Sequence, residues 1–340
     1  MEFLIPSAGS VRETLQGCKV KTGDYFDPAF KPAASFTLEM MNPLKIFSRP
    51  EYFFRPRQAL LRMRRAFSGK PPAHAQVRLP WGQIIAVQPN ETIGAGIWHY
   101  GIFDLIVTEA IWRLLDPGET ALDIGANIGQ MTSLMRHRSG ERGRVLSFEP
   151  HPQLFEELSA LMNSTAPISR SAPVELYPVA LSDRRGEAFF DSGAAWSENR
   201  GLGKVTADGE RDKAGSFKVK LDTLDDLLPH GAKVGVCKID VEGHELKVFE
   251  GARRLLGERA IRDIIFEDLG TYPTPVHHLF QQQGYSLFAL HSTSWRPRLL
   301  AASLDAAKFK MRDGANYLAT LSPDRAVARF RGWGWRVLTR

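Results

Sequence analysis

The sequence predicts an α/β protein built on a doubly wound, mainly parallel sheet. A buried strand runs into a glycine turn and then into a helix across Glu119–Thr132, ETALDIGANIGQMT. A second apolar run, Val145–Phe148, ends at the carboxylate of Glu149. Strand and helix patterns then alternate along the chain, and this alternation is typical of a parallel sheet.

The turn after the first strand has the residue types of a nucleoside site at the carboxyl edge of a sheet. Gly125 and Gly129 let the backbone bend sharply or approach a ligand closely. Asn127 stands where a dinucleotide-binding turn has its second glycine, and Asp123 precedes the turn, so a pyrophosphate is disfavoured. A cationic ligand without phosphate fits better, and we expect S-adenosylmethionine. A purely structural strand-to-helix turn is the alternative.

Glu149, followed by Pro150, ends the second strand at the spacing of a carboxylate that accepts hydrogen bonds from ribose hydroxyls. The alternative is a solvated loop glutamate. Because both features fall in the expected order, we favour the ribose role.

Composition is that of an ordinary globular protein, 43% hydrophobic and 24% charged. The net charge is +6, and the arginines form two clusters: the first is Arg49, Arg55, Arg57, Arg62, Arg64 and Arg65, and the second is Arg325, Arg329, Arg331, Arg336 and Arg340. Each cluster is explained either by a solubilising surface or by an anionic partner. No nucleic-acid-binding motif accompanies them, so we expect no nucleic-acid partner. Two cysteines, Cys18 and Cys237, are too few for a disulfide framework or a zinc site. Without a long apolar run or a signal-peptide pattern, the expected location is the cytoplasm, with membrane association as an addition.

Three regions are expected: an N-terminal extension (1–75), a catalytic domain (76–323) and a basic aromatic tail (324–340). The extension has one periodic segment, Arg57–Phe67, which predicts a basic helix. That helix could lie on a membrane as a peripheral contact, or cap the domain with its apolar side, and we favour the cap. The tail offers the same choice, and packing on the domain is favoured.

The elements of the domain follow in order. A β lead-in covers 77–104, with a turn at Pro89-Asn90, and a helix covers 104–115. Beyond the glycine turn we expect a helix to about residue 138, the second strand, a helix over 152–163 and a third strand over 174–181. The polar insertion 182–216 predicts a hairpin around Arg185-Gly186 and a substrate-facing loop carrying Trp196, Asn199 and Arg200, with plain mobility as the alternative. Later strands are expected to 221, over 234–240, 263–268, 285–291 and 316–321, with helices after 222 and over 241–256.

Acidic groups crowd the end of the fourth strand. The cluster after it is Asp240, Glu242, His244 and Glu245, and Glu267 and Asp268 end the neighbouring strand. In this fold that edge lies beside the ligand bound at the first strand. Such a density of carboxylates is costly unless a cation, ligand or metal is held there.

The motifs DIGANIG, FEP, VALSD, LDTLDDLL, KIDVEGHELKVFEGA and IIFE, in this order, resemble the FkbM family of S-adenosylmethionine-dependent methyltransferases over about residues 94–321. The resemblance implies a class I methyltransferase fold, a seven-stranded sheet with its last strand antiparallel, and O-methylation of a hydroxyl, often on a sugar or polyketide-type product. It places the turn at the methionine end of the cofactor, Glu149 at the ribose and Asp240 at the cofactor–substrate junction. The predicted cofactor site is Asp123, Gly125, Ala126, Asn127, Gly129, Gln130, Glu149, Pro150, Ala180 and Asp240.

An alcohol acceptor loses a proton as the methyl group is transferred, so a base within reach helps. Asp240 is the first choice by location and His244 the second by its ordinary pKa, with Glu242 beside them. Alternatively Asp240, Glu267 and Asp268 hold Mg²⁺. The predicted function is therefore methyl transfer to a hydroxyl of a saccharide, glycoconjugate or secondary metabolite. The alternatives are N-methylation of an amino sugar or amide, and a non-catalytic cofactor-binding or membrane-adaptor protein.

Overall fold

The computed structural model describes residues 49–67, 69–164, 170–193, 196–206, 216–303 and 316–339. Its helices are α1 Pro50–Phe53, α2 Pro56–Ala66, α3 Thr92–Tyr100, α4 Leu105–Leu114, α5 Gln130–Ser139, α6 Pro152–Asn163, α7 Leu224–Leu227, α8 Glu245–Glu250, α9 Arg253–Gly257, α10 Pro275–Gln282 and α11 Pro323–Phe330, followed by a 3₁₀ turn at Arg336–Leu338. Its strands are β1 Ala75–Arg78, β2 Ile84–Val87, β3 Thr120–Ile124, β4 Arg144–Phe148, β5 Val174–Tyr177, β6 Val179–Leu181, β7 Gly186–Asp191, β8 Lys204–Thr206, β9 Ser216–Asp222, β10 Val234–Ile239, β11 Ile261–Glu267, β12 Ser286–Ser292, β13 Pro297–Ala301 and β14 Asn316–Thr320.

The main sheet has the order β13-β12-β14-β11-β10-β3-β4-β5. Strands β5, β4, β3, β10 and β11 are parallel neighbours, and β14 pairs antiparallel with both β11 and β12. The doubly wound sheet and its antiparallel last strand are therefore confirmed. The described sheet has eight strands rather than seven, because β13 pairs with β12 at the edge.

Both faces of the sheet are covered. Along β3, Ala121 belongs to the hydrophobic cluster on the side of α4 and α5, whereas Leu122 and Ile124 belong to the cluster on the side of α8, α9 and α10. Alternate residues of a strand point to opposite faces, so a strand buried on both sides reads as a continuous apolar run. This arrangement leaves the carboxyl edge of the strands as the place where a ligand can enter.

The β lead-in is only partly confirmed. Strands β1 and β2 form an antiparallel hairpin within its first half, with the turn at residues 79–83 rather than at Pro89-Asn90, and the second half of the predicted lead-in is helix α3. The Glu91 side chain caps that helix by accepting from the backbone N–H groups of Ile93 and Gly94. The β-branched and aromatic residues of this segment favour a strand. It is nevertheless a helix, because the Glu91 cap and the close packing of Gly94 against Gln88 stabilise that conformation.

The third predicted strand is divided. Residues 174–177 form β5 of the main sheet, and after Pro178 the chain enters β6 of a separate four-stranded sheet of order β6-β9-β7-β8. The predicted hairpin around Arg185-Gly186 is wrong, because β7 pairs with β9 instead of β6. Within its described residues the insertion contains strands β7 and β8 of this small sheet, with turns over 196–201 between them. The expected helix over 241–256 is likewise two helices, α8 and α9.

The tail packs on the domain, as favoured. Phe330, Trp335 and Val337 are buried, and the backbone N–H groups of Arg336 and Val337 donate to the carboxylate of Glu109 on α4 at 2.9 and 2.8 Å. Two arginines of the tail cluster form ion pairs with the domain, Arg325 and Arg329 with Asp116. Arg340 and Cys18 lie outside the described residues, whereas Cys237 is buried as expected.

The N-terminal helix is present as α2, but its favoured role is wrong. Its apolar residues Leu60, Leu61, Met63 and Phe67 are exposed, so it does not cap the domain with its apolar side. Within the described residues, no helix is both long enough and apolar enough to cross a membrane.

Candidate active site

Three strand ends meet at one level of the sheet. Ile124 of β3 lies opposite Phe148 of β4 and Ile239 of β10 in the strand registers. The next residue in each strand is therefore Gly125, Glu149 and Asp240, and these follow at the same edge. Parallel strands with matched register bring residues far apart in sequence to one crevice.

The glycine turn holds the chain close to the neighbouring strand. Gly125 has φ +74°, and a Cβ at this position would lie 1.9 Å from the backbone oxygen of Asp240. The Gly125 carbonyl accepts a hydrogen bond from Nζ of Lys238 at 2.8 Å. Gly129 has φ +88°, and its Cβ would meet the Leu158 side chain at 2.6 Å. Both glycines are thus required by conformation and by space.

Glu149 is 4% exposed and accepts two backbone hydrogen bonds, from the N–H of Asn127 at 2.8 Å and of His151 at 2.9 Å. Each carboxylate oxygen has a further lone pair for a ligand. Burial raises the pKa of Glu149 to about 7, and the two backbone donors oppose this shift. The group is therefore a fixed acceptor whose charge changes near neutral pH.

Asp123 lies behind the turn. Its side chain is fully buried, accepts a hydrogen bond from Thr132 at 2.6 Å and lies 3.6 Å from Nζ of Lys238. Lys238 also lies 3.7 Å from Oδ2 of Asp240. Asp123 is outside the cavity lining, and its observed contacts position Lys238 and the turn; its contact with the ligand stays a prediction.

Two candidate bases lie at the mouth of the crevice. Asp240 has a 45% exposed side chain at the end of β10. His244 precedes α8, and its Nε2 is 3.0 Å from Oγ of Ser182. Burial lowers the pKa of His244, so the imidazole is neutral near pH 7 and can accept a proton.

The remaining carboxylates of the predicted cluster lie next to this mouth, outside the cavity lining. Burial and then the nearby Asp240 raise the pKa of Glu242 to about 8 and that of Glu267 to about 7. Asp268 is turned away, because it accepts hydrogen bonds from Thr274 and from the N–H of Gly270. The magnesium alternative is thereby corrected: among the described residues no group of three His, Cys, Asp or Glu is placed to hold a metal ion.

One cavity joins these elements. It encloses about 1010 Å³, including space open to solvent, and its lining contains three carboxylates, Asp104, Glu149 and Asp240, together with Lys238. Apolar residues from the turn, from β4 and from β6 complete the walls, among them Ile128, Phe148 and Leu181. A site of this size, apolar with a few fixed polar groups, is suited to a nucleoside-sized ligand.

The loop between β7 and β8 covers one side of the cavity. Arg200 is buried and pairs with Glu157 of α6 at 2.6 Å, and its carbonyl accepts from the Asn127 side chain at 3.3 Å. The N–H of Thr92 donates to the Glu198 carbonyl at 2.9 Å. These contacts attach the loop to α3, α6 and the glycine turn.

Two of the three predicted loop residues have structural partners instead. Trp196 stacks on His151 with ring centroids 4.0 Å apart, and Asn199 accepts from the N–H of Gly201 within its own turn. Neither lines the cavity, whereas Arg200 does. Of the three, Arg200 faces this cavity, and the substrate-facing role of Trp196 and Asn199 stays a prediction.

The methyltransferase FkbM domain, as a family model, matches residues 123–287. This part of the chain belongs to the FkbM methyltransferase family. The family predicted from the motifs is thus confirmed, and the match begins at the end of β3 and reaches into β12.

Relatives of the FkbM domain have different overall lengths. The hexuronic acid methyltransferase AglP of Haloferax volcanii is 29% identical over 195 residues, which are 55% of this chain and 72% of AglP. The methyltransferase sdnD of Sordaria araneosa is 26% identical over 208 residues, 52% of this chain and 76% of sdnD. The AMB antimetabolite synthetase AmbE of Pseudomonas aeruginosa is 30% identical over 168 residues, and the chain spans only 7% of its length. The crystal structure of the FkbM methyltransferase from Methylobacillus flagellatus KT aligns with 59% of this chain and 43% of its own, at 15% identity and a TM-score of 0.38.

Eight of the ten predicted cofactor residues of the FkbM domain line the cavity: Gly125, Ala126, Asn127, Gln130, Glu149, Pro150, Ala180 and Asp240. The other two, Asp123 and Gly129, support the turn from behind. Sequence reasoning missed Asp104 and Lys238. The signal for Lys238 was present, because a lysine within an otherwise apolar strand is rarely buried unless it has a charged partner. Asp104 precedes the family match and carried no signal beyond its place before a helix.

Proposed function

We propose that this chain transfers the methyl group of S-adenosylmethionine to a hydroxyl of a saccharide or glycoconjugate. The observation that supports it is the convergence of the glycine turn, Glu149 and Asp240 on one cavity with acidic groups in its lining. A cationic nucleoside is favoured in such a site, and a pyrophosphate is not.

The residues present fit this cofactor. The turn at Gly125 packs so closely against the neighbouring strand that a Cβ at this position would collide with the backbone oxygen of Asp240. Glu149 is oriented by two backbone donors toward the cavity and keeps lone pairs for the ribose hydroxyls. The backbone of Ala126 and Asn127 lines the cavity and would hold the cofactor, and Asp104 and Asp240 would supply negative charge for its ammonium and sulfonium groups.

The cofactor supplies a methyl group that is already activated, so the chain contributes position, exclusion of water and removal of a proton. Asp240 lies where the cofactor site opens and is the first candidate to accept the proton of the acceptor hydroxyl. His244 lines the same cavity in its neutral form and is the second. The loop carrying Arg200 covers the opposite side and limits water.

A sugar hydroxyl as acceptor is supported by the relative AglP, which is named for methylation of a hexuronic acid. The open, polar mouth formed by Asp240 and His244 suits a hydroxylated acceptor, since both side chains accept hydrogen bonds. Glu242 is assigned no direct role, because it lies outside the cavity lining.

The test is methyl transfer from labelled S-adenosylmethionine to glycans that contain uronic acid or neutral sugars, with amino sugars as the comparison. We expect an alkali-stable methyl ether on a hydroxyl of the sugar. A label found only on nitrogen would replace the proposal with N-methylation. Cofactor binding without turnover on any glycan or metabolite acceptor would leave a binding protein.

A further inference from the structure

Helix α2 is attached to the domain through its polar side. Nε2 of Gln58 donates to the carbonyl of His99 at 3.0 Å, and Gln58 is 5% exposed. The guanidinium of Arg65 stacks over the ring of Trp98 at 3.5 Å and donates to the Trp98 carbonyl. These contacts with α3 fix the rotation of α2 about its axis.

The opposite side of α2 is apolar and faces outward. Leu60 is 57% exposed, Leu61 41%, Met63 47% and Phe67 91%. In a surface helix of a water-soluble domain the apolar stripe faces the core and the polar side faces water. The orientation of α2 is the reverse, and it is held by specific hydrogen bonds.

Aromatic side chains extend this face. Phe53 of α1 contacts Trp295 edge to face at 4.8 Å, and Phe54 contacts Trp333 at 5.5 Å. We call the α2 face the set of exposed residues Phe53, Leu60, Leu61, Met63, Phe67, Trp295 and Trp333. These are seven of the nine large hydrophobic side chains exposed in the described residues, so the exposure is concentrated rather than scattered.

The charged residues of α2 have one sign. Arg57 and Arg64 are exposed on α2, and residues 52–67 contain five arginine residues and no aspartate or glutamate. A short basic helix with an outward apolar side, flanked by tryptophans, matches the properties of helices that lie in the headgroup layer of a membrane. An acidic lipid surface complements both the apolar and the cationic parts.

We propose that the α2 face is a docking surface for the anionic lipid surface of a membrane. Helix α2 lies along the headgroup layer, with Leu60, Met63 and Phe67 in the acyl boundary and with Arg57 and Arg64 at the phosphates. Trp295 and Trp333 reach the same layer from the domain. This attachment is independent of the reaction at the cavity.

The test is flotation of the full chain with vesicles of phosphatidylcholine alone and of phosphatidylcholine with about 30 mol% phosphatidylserine. We expect binding to the anionic vesicles that weakens as salt is raised, and little binding to the neutral ones. Two substitutions at the phosphates, Arg57→Gln with Arg64→Gln, are expected to weaken binding about thirtyfold, equivalent to about 2 kcal/mol at about 1 kcal/mol per arginine.

The apolar part is tested by the triple variant Leu60→Ser, Met63→Ser, Phe67→Ser. Its control is Leu269→Ser, at a leucine that is more exposed (74%) than Leu60 and lies outside the α2 face. The triple variant is expected to lose vesicle binding while it keeps its melting temperature and cofactor affinity, and the control is expected to bind as the parent does. Absence of binding to anionic vesicles, or binding unchanged in the triple variant, overturns the proposal. A parent dimer that the triple variant dissociates, without vesicle binding, assigns the face to self-association instead.

Discussion

The raised pKa of Glu149 makes cofactor binding sensitive to pH. In the proposed ribose role, the hydroxyls donate to the ionised carboxylate, so we expect the deprotonated form to bind the cofactor more tightly. With a pKa of about 7, the carboxyl is about 90% protonated at pH 6 and about 10% at pH 8. Relative to the fully ionised carboxylate, the apparent Kd for S-adenosylmethionine is higher by a factor of about 11 at pH 6 and about 1.1 at pH 8. Lowering the pH from 8 to 6 therefore weakens binding about tenfold.

Replacing Glu149 with glutamine removes the ionisation and keeps the size of the side chain, but its NH2 group faces one of the two backbone N–H donors. A hydrogen bond to a charged group contributes about 1.5–3 kcal/mol, so Glu149→Gln is expected to weaken binding at pH 8 about tenfold to a hundredfold. The pH dependence of the remaining affinity should be nearly flat. Calorimetric titration with S-adenosylmethionine and its demethylated product at pH 6, 7 and 8 measures both effects.

The matched control is Glu267→Gln. Burial and Asp240 also raise the pKa of Glu267 to about 7, but this residue does not line the cavity. The control is expected to keep the parent's pH profile. Parent-like affinity in Glu149→Gln at pH 8, or a tenfold pH dependence that survives this substitution, would refute the ribose assignment.

Three further predictions concern the turn, the base and the attachment of the tail. Gly125→Ala is expected to abolish cofactor binding and to lower the melting temperature well beyond Gly118→Ala. Both glycines have positive φ, but of the two only Gly125 has a backbone oxygen where the Cβ would lie. Equal losses of melting temperature would contradict the close approach of the turn to Asp240. Asp240→Asn should reduce kcat at least about a hundredfold and change cofactor affinity by no more than a few-fold relative to the parent. If His244→Gln reduces kcat more than Asp240→Asn does, the histidine is the base. Arg113→Met removes the cationic partner, 2.6 Å away, of the buried Glu109 carboxylate and should lower the free energy of unfolding by about 3–5 kcal/mol in urea titrations. A loss below about 1 kcal/mol would show that this ion pair is not needed for stability.

Much of the fold follows from local sequence. The strand before Gly125 is a short apolar run, the turn needs glycine, and the helix after it begins where the pattern changes from continuous to periodic. Glu149 and Asp240 were found because each directly follows a buried strand. In a parallel sheet such positions meet at one edge whatever the side chains around them.

Local signals failed where capping and packing decide between helix and strand. Residues 92–100 contain isoleucine, tryptophan and tyrosine, which favour strands, yet the Glu91 cap and contacts with β2 make them helical. The break at Pro178 moved half of one predicted strand into another sheet, since proline cannot donate a ladder hydrogen bond.

By itself the sequence determined the family, the doubly wound sheet and the acidic strand ends, because these depend on residue type and spacing along short segments. Only the tertiary structure decided that Asp123 is buried against Lys238, that Trp196 stacks on His151, and that the apolar side of α2 faces outward. Each of these depends on a contact between residues far apart in the chain. The partner of a side chain in such a contact depends on the surface that packs against it, and a local sequence pattern carries no information about that surface.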